Sequence, residues 1–276
     1  MENTLANLRA IIHESGTHNA AFTKNKLKRY LQILLLDFLY STPPYTELYF
    51  YGGTCLAHCF GLPRLSEDLD FVDMNASISL PTLAKDIEHF FAKNTDVRVK
   101  TKIQKFRIYV KFDILHELGA ADASESDQLF VKVEICPVFD YCPKYQMQFM
   151  PLFIENKSII VRTFDLPTLM ASKINAVLNR KWEKTDRSGK TIITVKGRDY
   201  FDLMWYLQKG VQPNMECIQG IENLSELKKR LLEIVRKVDT RSIQLDLAAF
   251  IEDEQFSKNI GVHMKEIILR EVEEKL

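Results

Sequence analysis

Residues 51–71 read YGGTCLAHCFGLPRLSEDLDF: a glycine pair, one helix-length segment, a loop and two aspartates separated by a single apolar residue. From Asp68 to Asp73 the apolar and acidic residues alternate, the period of a strand, so Leu69 and Phe71 point one way and Asp68 and Asp70 the other. Two residues apart on one face, the aspartate Cβ atoms stand roughly 6.5–7 Å apart. Their carboxylates can converge on one or two divalent cations, and oxygen ligands completed by water and phosphate are what Mg²⁺ takes. The glycines suit the same chemistry. Without Cβ atoms at Gly52 and Gly53 the backbone can come close to a triphosphate, and successive N–H groups can cradle it. Thr54 adds a hydroxyl at the start of a helix, where anions are favoured. An Asp-x-Asp pair alone also fits a solvated strand face; the preceding glycines shift the reading toward a site.

The flanking pattern is that of a mixed α/β chain. Leu5, Leu8, Ile11 and Ile12 recur at helical spacing, and Asn25–Tyr40 predicts a longer helix, stopped by Ser-Thr-Pro-Pro at 41–44. A strand is predicted at Glu47–Tyr51, a helix over Thr54–Phe60, a loop over 61–67 and a helix over Leu80–Phe91. One or two strands follow between Val97 and Lys111, the alternation continuing to Leu115, with a polar hairpin loop over 116–127. Gln128–Pro137 (QLFVKVEICP) is a further strand whose apolar face is Leu129, Val131, Val133 and Ile135. Glu134 lies on the opposite face beside Lys132, making it the candidate third carboxylate of a two-metal site; Asp113 and Asp199 remain alternatives. From about Asp165 the period turns helical. Pro167 in the first turn opens Thr168–Arg180, a basic stretch over 179–197 leads to a helix from about Arg198 to Lys209, and more helices fill 214–276. The organisation expected is a core over 1–164 and a helical lobe over 165–276 that completes the cleft.

Lys and Arg total 37, as do Asp and Glu, so net charge speaks neither for nor against nucleic acid; only its distribution can. The longest apolar stretch, near Leu31–Tyr40, is interrupted by Asp37 and far shorter than the roughly 20 residues a membrane span needs. No basic-then-apolar leader opens the chain. A cytoplasmic protein without membrane contact is therefore expected. Five cysteines do not make a disulfide framework. Cys55 and Cys59 with His58 read as small buried helix residues rather than a zinc site, since no second Cys/His pair has structural-zinc spacing.

A glycine pair after one strand, with thirteen residues between Thr54 and the Asp-Leu-Asp of the next, resembles the arrangement of polymerase-β-like nucleotidyltransferases. GGTCLAHCFGLPRLSEDLDF further resembles the signature of AbiEii/AbiGii-type nucleotidyltransferase toxins. So do DLPTLMASKINAVLNR (165–180) and KGRDYFDLMWYL (196–207), in the expected order, the resemblance spanning about residues 50–210. It implies an α+β fold, a mixed sheet with flanking helices followed by a mainly helical lobe. It also implies metal-binding and catalytic roles for Asp68 and Asp70, a phosphate-facing Lys173, a functional acid at Asp199, and Arg180, Arg198 and Asp202 lining the same cleft. From spacing alone, Lys173 equally fits a surface lysine trailing its stem over apolar neighbours, and Asp199 and Asp202 fit acids favoured in a first helical turn.

The activity the resemblance implies is transfer of a nucleotide from an NTP, with Mg²⁺ or Mn²⁺, to RNA such as a tRNA end, in a toxin–antitoxin or abortive-infection pair with a cognate antitoxin. Protein nucleotidylation and a non-catalytic nucleotide-binding regulator are the alternatives. Three basic clusters could meet a polynucleotide. Residues 97–111 hold six Lys/Arg and no acid, with Arg98, Lys100 and Lys102 alternating. Residues 179–198 hold Arg180, Lys181, Lys184, Arg187, Lys190, Lys196 and Arg198 around Trp182, against Glu183 and Asp186 only. The third cluster is Lys24, Lys26, Lys28 and Arg29. Solvated surface faces explain such clusters equally well.

Overall fold

The computed structural model describes every residue except 1, 17, 18, 122, 123, 140, 141, 181, 186, 187 and 190. Lys181, Asp186, Arg187 and Lys190 of the second basic cluster thus lie outside the described residues. The chain divides into two compact units, Met1–Phe139 with Gln148–Thr163, and Asp140–Met147 with Phe164–Leu276.

The first unit carries α1 (Thr4–Ser15), α2 (Ala20–Ser41), β1 (Tyr49–Tyr51), α3 (Gly52–Phe60), β2 (Asp68–Val72), α4 (Leu80–Asn94), β3 (Val99–Gln104), β4 (Arg107–Asp113) and β5 (Gln128–Cys136). It also holds nearly all of β6 (Met147–Ile154) and β7 (Lys157–Phe164). The seven strands form one sheet in the order β3-β4-β5-β2-β1-β7-β6. β2 runs antiparallel to β1 and parallel to β5, β1 parallel to β7, and β4 antiparallel to both β3 and β5. The mixed α/β class expected from the sequence is the one observed.

Alternation sorts this sheet into two chemically distinct faces. Leu69, Phe71, Ile108, Val110, Phe112, Leu129, Val131, Val133 and Ile135 are buried on one of them. α4 covers part of that face, with Phe91 edge-on to Phe112 at 5.2 Å between ring centroids. α2 supplies Leu27, Leu31, Leu34 and Leu35, all buried. At about 25 cal/mol per Å², each such leucine contributes about 2 kcal/mol. Ser79 caps α4, with Pro81 in its first turn, a start signal visible in the sequence.

The second unit holds α5 (Leu166–Asn179), β8 (Lys184–Thr185), β9 (Thr191–Ile193), α6 (Gly197–Gln208), α7 (Leu224–Arg236), α8 (Thr240–Leu247) and α9 (Glu254–Lys275). Asp165 caps α5, its Oδ1 accepting from the Thr168 amide at 3.0 Å, and Pro167 occupies the first turn. The glycine of the KGRD stretch has a packing reason: a Cβ on Gly197 would lie 2.7 Å from the Ile243 backbone in α8. Cys142 and Cys217 form a disulfide within this unit, which the cysteine count did not lead one to expect. Among the described residues, no helix is long and apolar enough to cross a membrane.

Candidate active site

Asp68 and Asp70 stand on the sheet face opposite the apolar core, and strand register supplies their neighbours. Asp68 is paired with Lys132 and Asp70 with Glu134 on β5, and Glu134 is paired in turn with Arg107 on β4. Register partners share a face, so three carboxylates and two cations lie side by side. Lys132 Nζ sits 2.8 Å from Asp68 Oδ2 and 2.7 Å from Glu134 Oε1. Arg107 Nε lies 3.1 Å from the same Glu134 oxygen. Burial alone would lower the Lys132 pKa, but the hydrogen bonds and charges of Asp68 and Glu134 raise it instead, so this amine stays an ammonium. Burial raises the Asp68 carboxyl above its ordinary value, with Lys132 opposing.

The glycine pair is tied to these carboxylates by contact. Gly52 opens α3 at φ +79°, and a Cβ there would collide with the Asp70 carboxylate. A Cβ on Gly53 would lie 2.7 Å from the Arg64 guanidinium and 3.0 Å from Ser66 Oγ. No side chain caps the start of α3. The Thr54 hydroxyl is buried and donates to the Asp68 carbonyl at 2.5 Å, fastening α3 to β2. Asp113 falls at the far end of β4 from Arg107, opposite Gln128, whose Nε2 donates to it at 3.0 Å. Glu134 therefore is the acidic residue that register sets beside Asp70.

Two observations bear on whether a divalent cation fits. A cationic group already lodges between Asp68 and Glu134, and the ligands around it are hard oxygens of the kind Mg²⁺ takes. Among the described residues no three His, Cys, Asp or Glu side chains stand at metal-ligating spacing; Lys132 takes the place between two of them. A cation could take this place only if the Lys132 ammonium moved out from between Asp68 and Glu134.

In the second unit the other predicted residues form a cluster of their own. Lys173 Nζ on α5 lies 2.8 Å from both Asp199 Oδ1 and Asp202 Oδ2 of α6, and Arg180 Nη1 lies 2.6 Å from Asp199 Oδ2. Both aspartates are buried. Burial would raise the Asp199 carboxyl, yet Lys173, Arg180 and Lys196 hold it well below the usual carboxylate range. Lys196 is itself lowered to about 8, by burial, with Asp199 opposing. Lys173 is thus a half-buried ion-pair partner rather than a surface lysine trailing its stem. Arg198 Nε points elsewhere, 3.3 Å from Asp246 Oδ2, with its guanidinium over the Phe250 ring.

The sequence pattern of the family described as "Nucleotidyl transferase AbiEii toxin, Type IV TA system" matches residues 34–273. The chain belongs to this family. It is a nucleotidyltransferase toxin of the type IV toxin–antitoxin class. The fold is also found in a solved structure. MenT4, a nucleotidyltransferase toxin from Mycobacterium tuberculosis, is 12% identical with a TM-score of 0.57, covering 96% of this chain and 88% of its own. JHP933 from Helicobacter pylori is 21% identical with a TM-score of 0.45, covering 90% and 93%. Comparison with curated proteins gives no match.

Three residues that stand at the candidate site were not singled out as functional groups from the sequence. Lys132 was visible two residues before Glu134 on one strand face, the signal being that alternation. Arg107 reaches Glu134 only through the β4–β5 register, which no local pattern reveals. Arg64, the arginine of the G-L-x-R stretch, is buried and donates to the Leu65 carbonyl at 2.8 Å. Its position against Gly53 explains why that glycine carries no side chain.

Proposed function

We propose that the toxin transfers a nucleotide from an NTP to an RNA acceptor, with a tRNA end as the acceptor the family resemblance favours, in a reaction dependent on Mg²⁺ or Mn²⁺. The observation that carries this reading is the convergence of Asp68, Asp70 and Glu134 on one sheet face, with Asp70 seated against Gly52 at the first turn of α3. Asp68, Asp70 and Glu134 would hold the metal, whose charge would offset that of the triphosphate. Gly52 and Gly53 let Asp70 and Arg64 close on the first turn of α3, and Thr54 anchors that turn, whose amides would take the phosphate oxygens. The family resemblance assigns Lys173, Arg180 and Asp202 to nucleotide binding and Asp199 to a functional acid paired with Lys173; it also assigns Arg198, which here turns to Asp246 and Phe250. The acceptor hydroxyl oxygen bonds to the α-phosphorus and its proton passes to a carboxylate of this face. The bond from the α-phosphorus to the bridging oxygen breaks, and pyrophosphate leaves. An antitoxin is the expected protein partner.

Metal dependence gives a direct test. After chelation, pyrophosphate release from NTPs and total RNA should return on adding Mg²⁺ or Mn²⁺ to the wild type, and stay absent in Glu134→Gln. Release that persists in chelator would refute the metal assignment.

A further inference from the structure

The face that carries the carboxylates continues away from them across β5, β4 and β3, the last being the edge of the sheet. Register lays out its side chains. Beside Asp68 lie Lys132, then Tyr109, then Lys102; in the next row lie Phe130, Lys111 and Lys100. Tyr109 and Phe130 form a ring pair with centroids 5.7 Å apart. Phe130 is 41% exposed, and Lys28 Nζ stands 5.1 Å from its ring centroid. Tyr109 is two strands from Asp68, about 10 Å at the spacing of a sheet.

With Tyr109 half-buried and Phe130 partly exposed, the ring pair presents a flat aromatic surface on this strand face. The surroundings define the chemistry that would cover it. Lys100 and Lys102 are exposed, Lys111 is half-exposed, and Asp113, two residues beyond Lys111 on β4, is held by Lys100 and Gln128. Rings at the centre with ammonium groups around them complement a chain of flat bases joined by phosphates. An acidic peptide would use the lysines and leave the rings unmatched. A duplex would reach the lysines but keep its bases stacked within, away from the rings.

Resting on the reading of the carboxylate face as the transfer site, we infer that Tyr109 and Phe130 are the stacking platform for the unpaired bases of the acceptor strand. Lys100, Lys102 and Lys111 hold its phosphates and direct the strand's end to Asp68 and Asp70. The acceptor is thereby a single-stranded RNA end, recognised by stacking and charge.

The test is anisotropy of a fluorescent single-stranded RNA oligonucleotide and of its duplex, at several salt concentrations and without NTP. The wild type should prefer the single strand. Tyr109→Leu and Phe130→Leu should each weaken single-strand binding about 10-fold and leave duplex binding unchanged, while Tyr109→Phe retains wild-type affinity. Lys102→Ala and Lys111→Ala should each reduce the slope of log affinity against log salt by about 0.7. Equal single-strand affinity in the leucine variants, equal affinity for duplex, or no RNA binding by the wild type would each overturn the platform. Binding of a labelled NTP to the wild type, measured alongside, reports separately on the transfer site: NTP bound without RNA refutes the platform alone, and RNA bound without NTP refutes the transfer reading alone.

Discussion

Gly52 concentrates the logic of the site in one residue. It adopts φ +79°, and the space a Cβ would fill is taken by the Asp70 carboxylate. Gly52→Ala therefore suffers twice, from a backbone conformation costing about 1 kcal/mol for an L-residue and from displacement of Asp70. A lower melting temperature and a near-complete loss of nucleotide transfer are expected together; a variant with wild-type transfer would show that Asp70 does not depend on this contact. Lys132 is the second decisive residue. Lys132→Met leaves Asp68 and Glu134 facing each other without their shared ammonium, a loss of about 1–3 kcal/mol. Mg²⁺ should then raise the melting temperature of Lys132→Met more than that of the wild type, because the ion no longer competes with an amine. Equal shifts would count against these carboxylates as the metal site. Asp68, Asp70 and Glu134 were legible in the sequence because alternation is a local property. Lys132's bridging role was not, since it follows from β2 and β5 meeting in one register.

Among the elements, α5 and α6 are held by the Lys173 cluster. Removing the lysine takes a cationic partner from each of two buried carboxylates, so Lys173→Met should lower stability at pH 7 by about 3 kcal/mol, read by urea unfolding. The pH dependence has a definite sign. The Asp199 pKa in the folded chain lies below its ordinary 3.8, so the stability from its ion pairs is full above that value and drains away as pH falls through the folded pKa. The variant keeps only the share of that stabilisation that Arg180 and Lys196 supply, so its gap to the wild type should narrow as pH falls below 3.8. A gap independent of pH would mean that Lys173 acts by packing alone. Both helices were legible from their start signals, Asp165 with Pro167 and the KGRD turn. The β6–β7 hairpin was not. Its turn places Glu155 and Asn156 at φ +47° and +58°, and glutamate is an uncommon residue there. Its strands leave Phe149, Phe153 and Ile160 exposed, blurring the alternation that would reveal them. The Cys142–Cys217 disulfide joins residues 75 apart in sequence, a pairing that spacing alone does not specify.

For the whole molecule, the central claim is that the carboxylate face of the sheet moves a nucleotide onto RNA. Its most direct test is transfer of label from each α-³²P-labelled NTP to total tRNA in the presence of Mg²⁺, by the wild type and by Asp70→Asn. The account predicts label on RNA from a preferred NTP, with the signal abolished in Asp70→Asn although the variant keeps its fold by circular dichroism. Label on protein instead of RNA, or label on RNA undiminished in Asp70→Asn, would contradict it.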